Sequence, residues 1–241
     1  MTIEHFYISG EAQLLQQLSH FNFKTVFDVG SNTGEWASLA RATWPTAEIH
    51  TFELVPQTFS TFLASGTLDS AMMPNSFGLG NKCGLVDYKH CFEDSRLCTQ
   101  LVEMSPGTLS NVTYEWRKGL VVDGDSYVAS RQIESIDFLK IDVEGSEPDV
   151  LKGLYNSLQQ ERIGLIQFEY GTANILNKFL LLDYYQMLQP LGFELALLSA
   201  DGLSWRDYIL THEDFRGPNY VALHRSRQDL AAHLKAHFSI G

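Results

Sequence analysis

Cysteine is scarce: Cys83, Cys91 and Cys98 are the three in a chain of 241 residues. They are odd in number, lie within one short region and lack paired C-x-x-C spacing, which argues against a disulfide framework and a zinc site. Their expected role is that of small core or loop residues. Basic residues are also in deficit, with 17 Lys and Arg against 29 Asp and Glu, giving a formal net charge of −12. No basic run is longer than Arg117-Lys118. A nucleic-acid partner calls for clustered cations, so none is expected. Long apolar runs are missing too, because the Phe179–Leu182 cluster runs into Asp183 where a membrane span needs about 20 apolar residues. Met1-Thr2-Ile3-Glu4-His5 is not a basic region followed by an apolar one. A cytoplasmic protein with no membrane contact is the expectation. No internal repeat, linker or low-complexity segment interrupts the chain.

What is present is an α/β rhythm. Hydrophobic residues make up 44% of the chain and aromatics 12%. At this length that closes a full core, and one domain over 1–241 is the simplest organisation. The stretch to which the rest refers is Val26-Phe27-Asp28-Val29-Gly30-Ser31-Asn32-Thr33-Gly34-Glu35. An apolar β-type run, Thr25 to Val29, ends in a glycine turn, and helix-forming residues Glu35 to Ala42 follow at once. This order brings backbone N–H groups and a helix N-terminus up to a cofactor. Gly30 reaches backbone angles closed to other residues, and with Gly34 it clears side chains from a ligand's approach. The spacing fits neither G-x-G-x-x-G nor G-x-x-x-x-G-K-[ST], the dinucleotide and P-loop patterns.

The turn instead resembles the first motif of S-adenosylmethionine (SAM) methyltransferases, which holds the methionine part of that cofactor. Ile49 to Phe52 reads as the next strand and ends in Glu53, a carboxylate placed to accept hydrogen bonds from ribose hydroxyls. The residues expected to border the cofactor are Asp28, Gly30, Ser31, Asn32, Gly34, Glu53, Leu54 and Asp142, with Gly78 and Leu79 beside the adenine. The last two belong to the turn Phe77-Gly78-Leu79-Gly80-Asn81, which follows the strand neighbouring Glu53.

Around this unit the chain reads in order. A helix covers Glu11 to Leu18, with Leu14, Leu15 and Leu18 on one face. Strand two is Ala47–Phe52, and a helix starts at Pro56. Strand three is Ala71–Ser76, and Gly84 to Phe92 forms an extra strand. The pattern then fades, and 93–119 is read as a loop at the carboxyl edge of the sheet, facing substrate. Ile136–Ile141 is an interior strand. Ser146 and Asp149 are placed to cap a helix with apolar face Val150, Leu151, Leu154 and Leu158. Arg162 to Phe168 is strand five, ending in Glu169. A helix over Ala173–Leu188, strand six (Phe193–Leu198), a polar aromatic loop over 201–218 and a last strand (Asn219–His224) follow.

Asp137 to Glu147, written D-F-L-K-I-D-V-E-G-S-E, followed by Val150-Leu151-Lys152-Gly153, resembles the hallmark of FkbM-type methyltransferases. So do Asp28 to Gly34, the Phe52-Glu53 strand end and Asn219-Tyr220-Val221-Ala222. The likeness covers roughly residues 20 to 225. One departure is that Leu54 and Val55 stand between Glu53 and Pro56, where the family usually has Pro directly after the Glu. The resemblance implies a Rossmann-like class I methyltransferase fold: a seven-stranded, mostly parallel sheet with an antiparallel last strand and helices on both faces. It also implies SAM as donor and transfer to a hydroxyl oxygen of a sugar or natural product. The 201–218 loop would return over the active-site edge, placing Trp205, Tyr208, His212 and Phe215 near the acceptor.

Methyl transfer to a hydroxyl requires alignment and proton removal. Asp142 and Glu169 end adjacent strands and could bind one hard cation such as Mg²⁺, lowering the hydroxyl pKa. Glu144 stands as third ligand or general base, and His90 or His212 as alternative bases. Lys140, on the same strand face as Asp142, is expected to pair with a carboxylate. Two other readings remain: a nicotinamide-dependent oxidoreductase, whose G-x-G-x-x-G and Tyr-x-x-x-Lys signatures are missing, and a non-catalytic nucleoside-binding module. No [N/D]-P-P-[Y/F] box, used on exocyclic base amines, is present.

Overall fold

The computed structural model describes residues 3–92, 98, 100 and 113–240. Eight strands form the main sheet, in the spatial order β10-β9-β11-β8-β7-β1-β2-β3. They are β1 (Thr25–Val29), β2 (Glu48–Phe52), β3 (Met72–Asn75), β7 (Ile136–Ile141), β8 (Ile163–Glu169), β9 (Phe193–Ser199), β10 (Gly202–Trp205) and β11 (Asn219–His224). From β3 to β8 all pairs are parallel, and β11 runs antiparallel between β8 and β9. The expected seven strands are therefore all present, with their antiparallel last strand. The eighth, β10, is a correction. It pairs antiparallel with β9 at the sheet edge, so the start of the 201–218 segment is strand rather than loop.

Period-two alternation divides the core in two. Val26, Phe138, Leu165 and Val221 face one side, with α2 (Glu11–Leu18), α3 (Glu35–Thr43) and α10 (Gln228–His237). Phe27, Leu139, Ile166 and Ala222 face the other, with α6 (Glu147–Gly153), α7 (Tyr155–Gln159) and α9 (Leu181–Leu188). Such double coverage explains why the central strands read as nearly continuous apolar runs. The helix expected over Ala173–Leu188 is divided into α8 (Ala173–Asn177) and α9 by Lys178 in the left-handed region at φ 58°. Described residues also form α1 (Ile3–Ile8), α4 (Pro56–Ala64) and α5 (Gly124–Ser130).

Beside the main sheet stands a smaller one, order β4-β6-β5, built from β4 (Gly78–Gly80), β5 (Gly84–Cys91) and β6 (Tyr114–Asp123). The turn expected beside the adenine is a short strand, parallel to β6. Residues 114–119, expected as loop, pair with β5 from Val86 to Cys91. The rest of that expected loop, at 93–97, 99 and 101–112, lies outside the described residues. Among the described residues, no helix is long and apolar enough to cross a membrane.

Candidate active site

A cleft opens at the carboxyl edge of the sheet. In-register ends bring it together: Val29 pairs with Phe52 and Ile141, and Ile141 with Phe168. Its walls include Gly30, Ser31, Asn32, Glu53, Leu54 and Asp142, and beyond them Gly78, Leu79 and Glu144. Sequence reasoning had named all nine. Asp28 and Gly34 are not among the lining residues. Phe6 of α1 and Trp36 of α3 do line the cleft, and neither had been singled out.

The glycine turn is organised differently from expectation. Gly30 and Ser31 both donate N–H to the Phe52 carbonyl (2.9 and 3.0 Å), and Gly34 donates to Ser31 (2.8 Å). Asn32 N–H goes to Glu53 Oε2 at 2.9 Å. These amides are satisfied within the protein, and the turn presents Ser31 Oγ, which is buried without a partner. The fold itself requires both glycines. A β-carbon on Gly30 would meet the Asp142 carbonyl, and one on Gly34 the Phe62 ring. Both have positive φ, 86° and 87°, open to glycine at little cost.

Glu53 also accepts from Val55 N–H at 2.8 Å. Burial raises its pKa to about 7, against the pull of those two N–H groups. Asp28, fully enclosed, is raised to about 6 by burial although Lys140 opposes it. Lys140 Nζ sits 3.1 Å from Asp142 Oδ2 and 3.6 Å from Asp28 Oδ1. Burial would discharge this ammonium, but Asp142 and Asp28 more than reverse that and hold it charged. The expected carboxylate pairing is what the structure contains.

Asp142, Glu144 and Glu169 converge, each offering an oxygen within 4.8 Å of the others. The turn that presents Glu144 is unusual: Glu144 and Gly145 have successive positive φ values of 53° and 99°. It is clamped by Glu147, which accepts from the N–H groups of Val143 (2.9 Å) and Gly145 (3.2 Å). Asn177 holds the Gly145 carbonyl at 2.7 Å. Ser146 makes no side-chain cap bond, and Asp149 pairs with Asn81 and Lys152. The capping expected of those two is replaced by Glu147, whose pKa burial raises to about 7. Burial raises Glu169 to about 8, with the Asp142 and Glu147 carboxylates adding to it.

His90 is not brought to the carboxylates. It lies on β5, is buried, and its Nδ1 sits 3.6 Å from Cys98 Sγ. Cys98, not His90, lines the cleft. His212 turns inward only to its own loop, meeting the Ile209 N–H at 3.4 Å. Trp205 belongs to β10 and donates to Ser239 near α10. Phe215 stacks toward Tyr170 at 5.2 Å, next in chain to Glu169. Glu213, which had drawn no attention, anchors this loop: it accepts from the hydroxyls of Tyr170 and Tyr208 and the N–H groups of Leu181 and Leu182.

The strand order and the cleft at the carboxyl edge are those of a Rossmann-like class I methyltransferase. The chain belongs to the FkbM methyltransferase family: the methyltransferase FkbM domain matches residues 28–195. It is 29% identical over 148 residues to the hexuronic acid methyltransferase AglP of Haloferax volcanii, a match covering 61% of this chain and 56% of that relative. The chain thus spans little more than half of that relative's length. Solved structures of similar shape include a TehB-like SAM-dependent methyltransferase from Corynebacterium glutamicum, with TM-score 0.45, 12% identity and coverage of 90% and 88%. Another is the O-methyltransferase TomG from Streptomyces achromogenes, with TM-score 0.46, 9% identity and coverage of 88% and 78%.

Proposed function

We propose that the protein transfers the methyl group of SAM to a hydroxyl oxygen of a sugar or related small molecule. The observation that carries this reading is one cleft with two dissimilar halves. A glycine turn and Glu53 stand on one side, and Asp142 and Glu144 on the other, with Glu169 converging on those two from beside the cleft. Bound there, SAM supplies a methyl group on a positively charged sulfur, open to in-line displacement. The unpartnered Ser31 Oγ suits the polar methionine end. Glu53 keeps lone pairs for the ribose hydroxyls, and Gly78 and Leu79 flank the adenine side. Among the described residues, the excess of carboxylates over the one lining cation, Lys140, suits a cofactor with a positive sulfur.

On the acceptor side, Glu169 takes the hydroxyl proton. A carboxylate raised to about 8 has the proton affinity that a base needs near neutral pH. Asp142, tied to Lys140, holds its place beside it. The oxygens of Asp142, Glu144 and Glu169 also suit one hard divalent cation such as Mg²⁺, which would supply Lewis-acid activation of the hydroxyl. The relative's name supports a sugar-type acceptor. The acidic cleft favours a neutral sugar hydroxyl over an anionic acceptor unless a cation intervenes.

The test is transfer of label from methyl-tritiated SAM to a panel of neutral sugars and hexuronic acids, with Mg²⁺ or with EDTA. Labelled sugar supports the reading, and loss of label transfer in EDTA supports the cation. Tight SAM binding with no transfer to any hydroxyl would instead fit a binding module.

A further inference from the structure

At the other end of α2, away from the cleft, three histidines meet. Glu11, which opens α2, accepts from Gln167 Nε2 at 2.6 Å. Nine residues on, the chain passes His20 and returns to the amino end of β1. There α10 packs against α2, with Leu15 and Leu18 in the same core cluster as Leu230 and Leu234. His233 and His237 are four residues apart on α10, so they share one helix face. Their ring centroids are 4.9 Å apart, and the His20 ring is 4.4 Å from that of His233.

We propose that His233 and His237, with His20, bind a divalent transition-metal ion of the Zn²⁺ or Ni²⁺ type. Nitrogens bound about 2.1 Å from a shared ion place their rings roughly 5 Å apart, close to the His233–His237 spacing. In their present rotamers the three rings do not yet converge their nitrogens on one point. His233 is prepared for it on both sides of its ring. It is in hydrogen-bonding contact with the Gln17 backbone, in the sense that favours its N–H form. Its Nε2 is buried and has no partner. An imidazole with one nitrogen held by backbone and the other bare is oriented as metal-binding histidines are. His20 and His237 are exposed and complete the set by side-chain rotation. Imidazole nitrogen selects Zn²⁺, Ni²⁺ or Cu²⁺ over Mg²⁺, so this site and the carboxylate cluster take different ions. It lies at the opposite sheet edge and does not depend on the methyltransferase reading.

The test is calorimetric titration of the full, tag-free chain with Ni²⁺, in excess Mg²⁺ to occupy the carboxylates. One saturable Ni²⁺ per chain is expected. His233→Ala and His237→Ala should each weaken it about tenfold or more, the scale on which even supporting groups act, while Asp142→Asn leaves it unchanged. Ni²⁺ should also raise the thermal midpoint of the parent chain but not of the variants. If His233→Ala does not fold, His237→Gln at an exposed position carries the comparison. Non-saturable binding, or affinity unchanged in the histidine variants, overturns the proposal.

Discussion

Gly30 and Asp142 are in contact through a missing atom: a β-carbon on Gly30 would lie 1.8 Å from the Asp142 carbonyl oxygen. The turn after β1 is thereby seated on the end of β7, and the glycine-turn half of the cleft is registered against the carboxylate half. Gly30→Ala combines this clash with φ 86°. A left-handed alanine costs about 1–2 kcal/mol and overpacking about 1–3 kcal/mol, so a loss of about 3 kcal/mol or more is expected. Gly66 has φ 75° and nothing within 4 Å of a β-carbon, so Gly66→Ala should show the backbone part alone. Urea unfolding of both variants measures the difference; equal losses would remove the contact from the account.

Glu169→Gln keeps the shape of the side chain and removes its basicity. Methyl transfer should fall by about 10²–10⁴-fold, the range of general-base contributions. The affinity for S-adenosylhomocysteine, the cofactor's product form, should stay within a few fold. Single-turnover rates beside calorimetric affinities separate these effects. An unchanged rate would take the proton away from Glu169.

Four enclosed carboxyls set the pH dependence of the free protein, Asp28 with its pKa at about 6 among them. Glu53 and Glu147 are raised to about 7 and Glu169 to about 8. Between the unfolded value near 4.5 and those values the folded state binds protons that the unfolded chain does not. Stability therefore falls as pH rises through that window, by up to about 3 kcal/mol for a fully buried group such as Glu147. Urea midpoints should be higher at pH 5.5 than at pH 8, and Glu147→Gln should flatten the slope. A midpoint rising over the same interval contradicts this assignment.

Glu213 gathers two tyrosine hydroxyls and the first N–H groups of α9. Glu213→Ala should cost about 2 kcal/mol, the scale of bonds to a charged acceptor, and should weaken acceptor use more than cofactor binding. Initial rates at varied acceptor and SAM concentrations resolve the two. Equal effects on both would make the residue purely structural.

Legibility followed burial. The strands β1, β2, β7 and β8 could be read because each is an apolar run ending in a turn or carboxylate at the same edge, and β11, which runs the other way, because its run is apolar. Glu53, Asp142, Glu144 and Glu169 stood out for that reason. Four-residue β10 is too short to show alternation. In β6 most side chains before Gly119 are exposed, so its charges and aromatics read as loop. The break at Lys178 is imposed by tertiary contact, since Asn177 is held by Gly145, and no proline or glycine announces it. Leu230 and Leu234 did mark α10 at helical spacing and went unread. Glu147 and Glu213 act by folding back on backbone N–H groups, which leaves no spacing signature.

The most direct measurement is calorimetric titration with S-adenosylhomocysteine, with NADH as control, on the parent chain, Glu53→Gln and Glu53→Ala. Binding to the parent chain is predicted. Removal of a charged acceptor costs about 1.5–3 kcal/mol, or roughly 10–100-fold, so Glu53→Ala should lose most of the affinity while remaining folded. No binding of S-adenosylhomocysteine, or preference for NADH, would contradict the account at its centre.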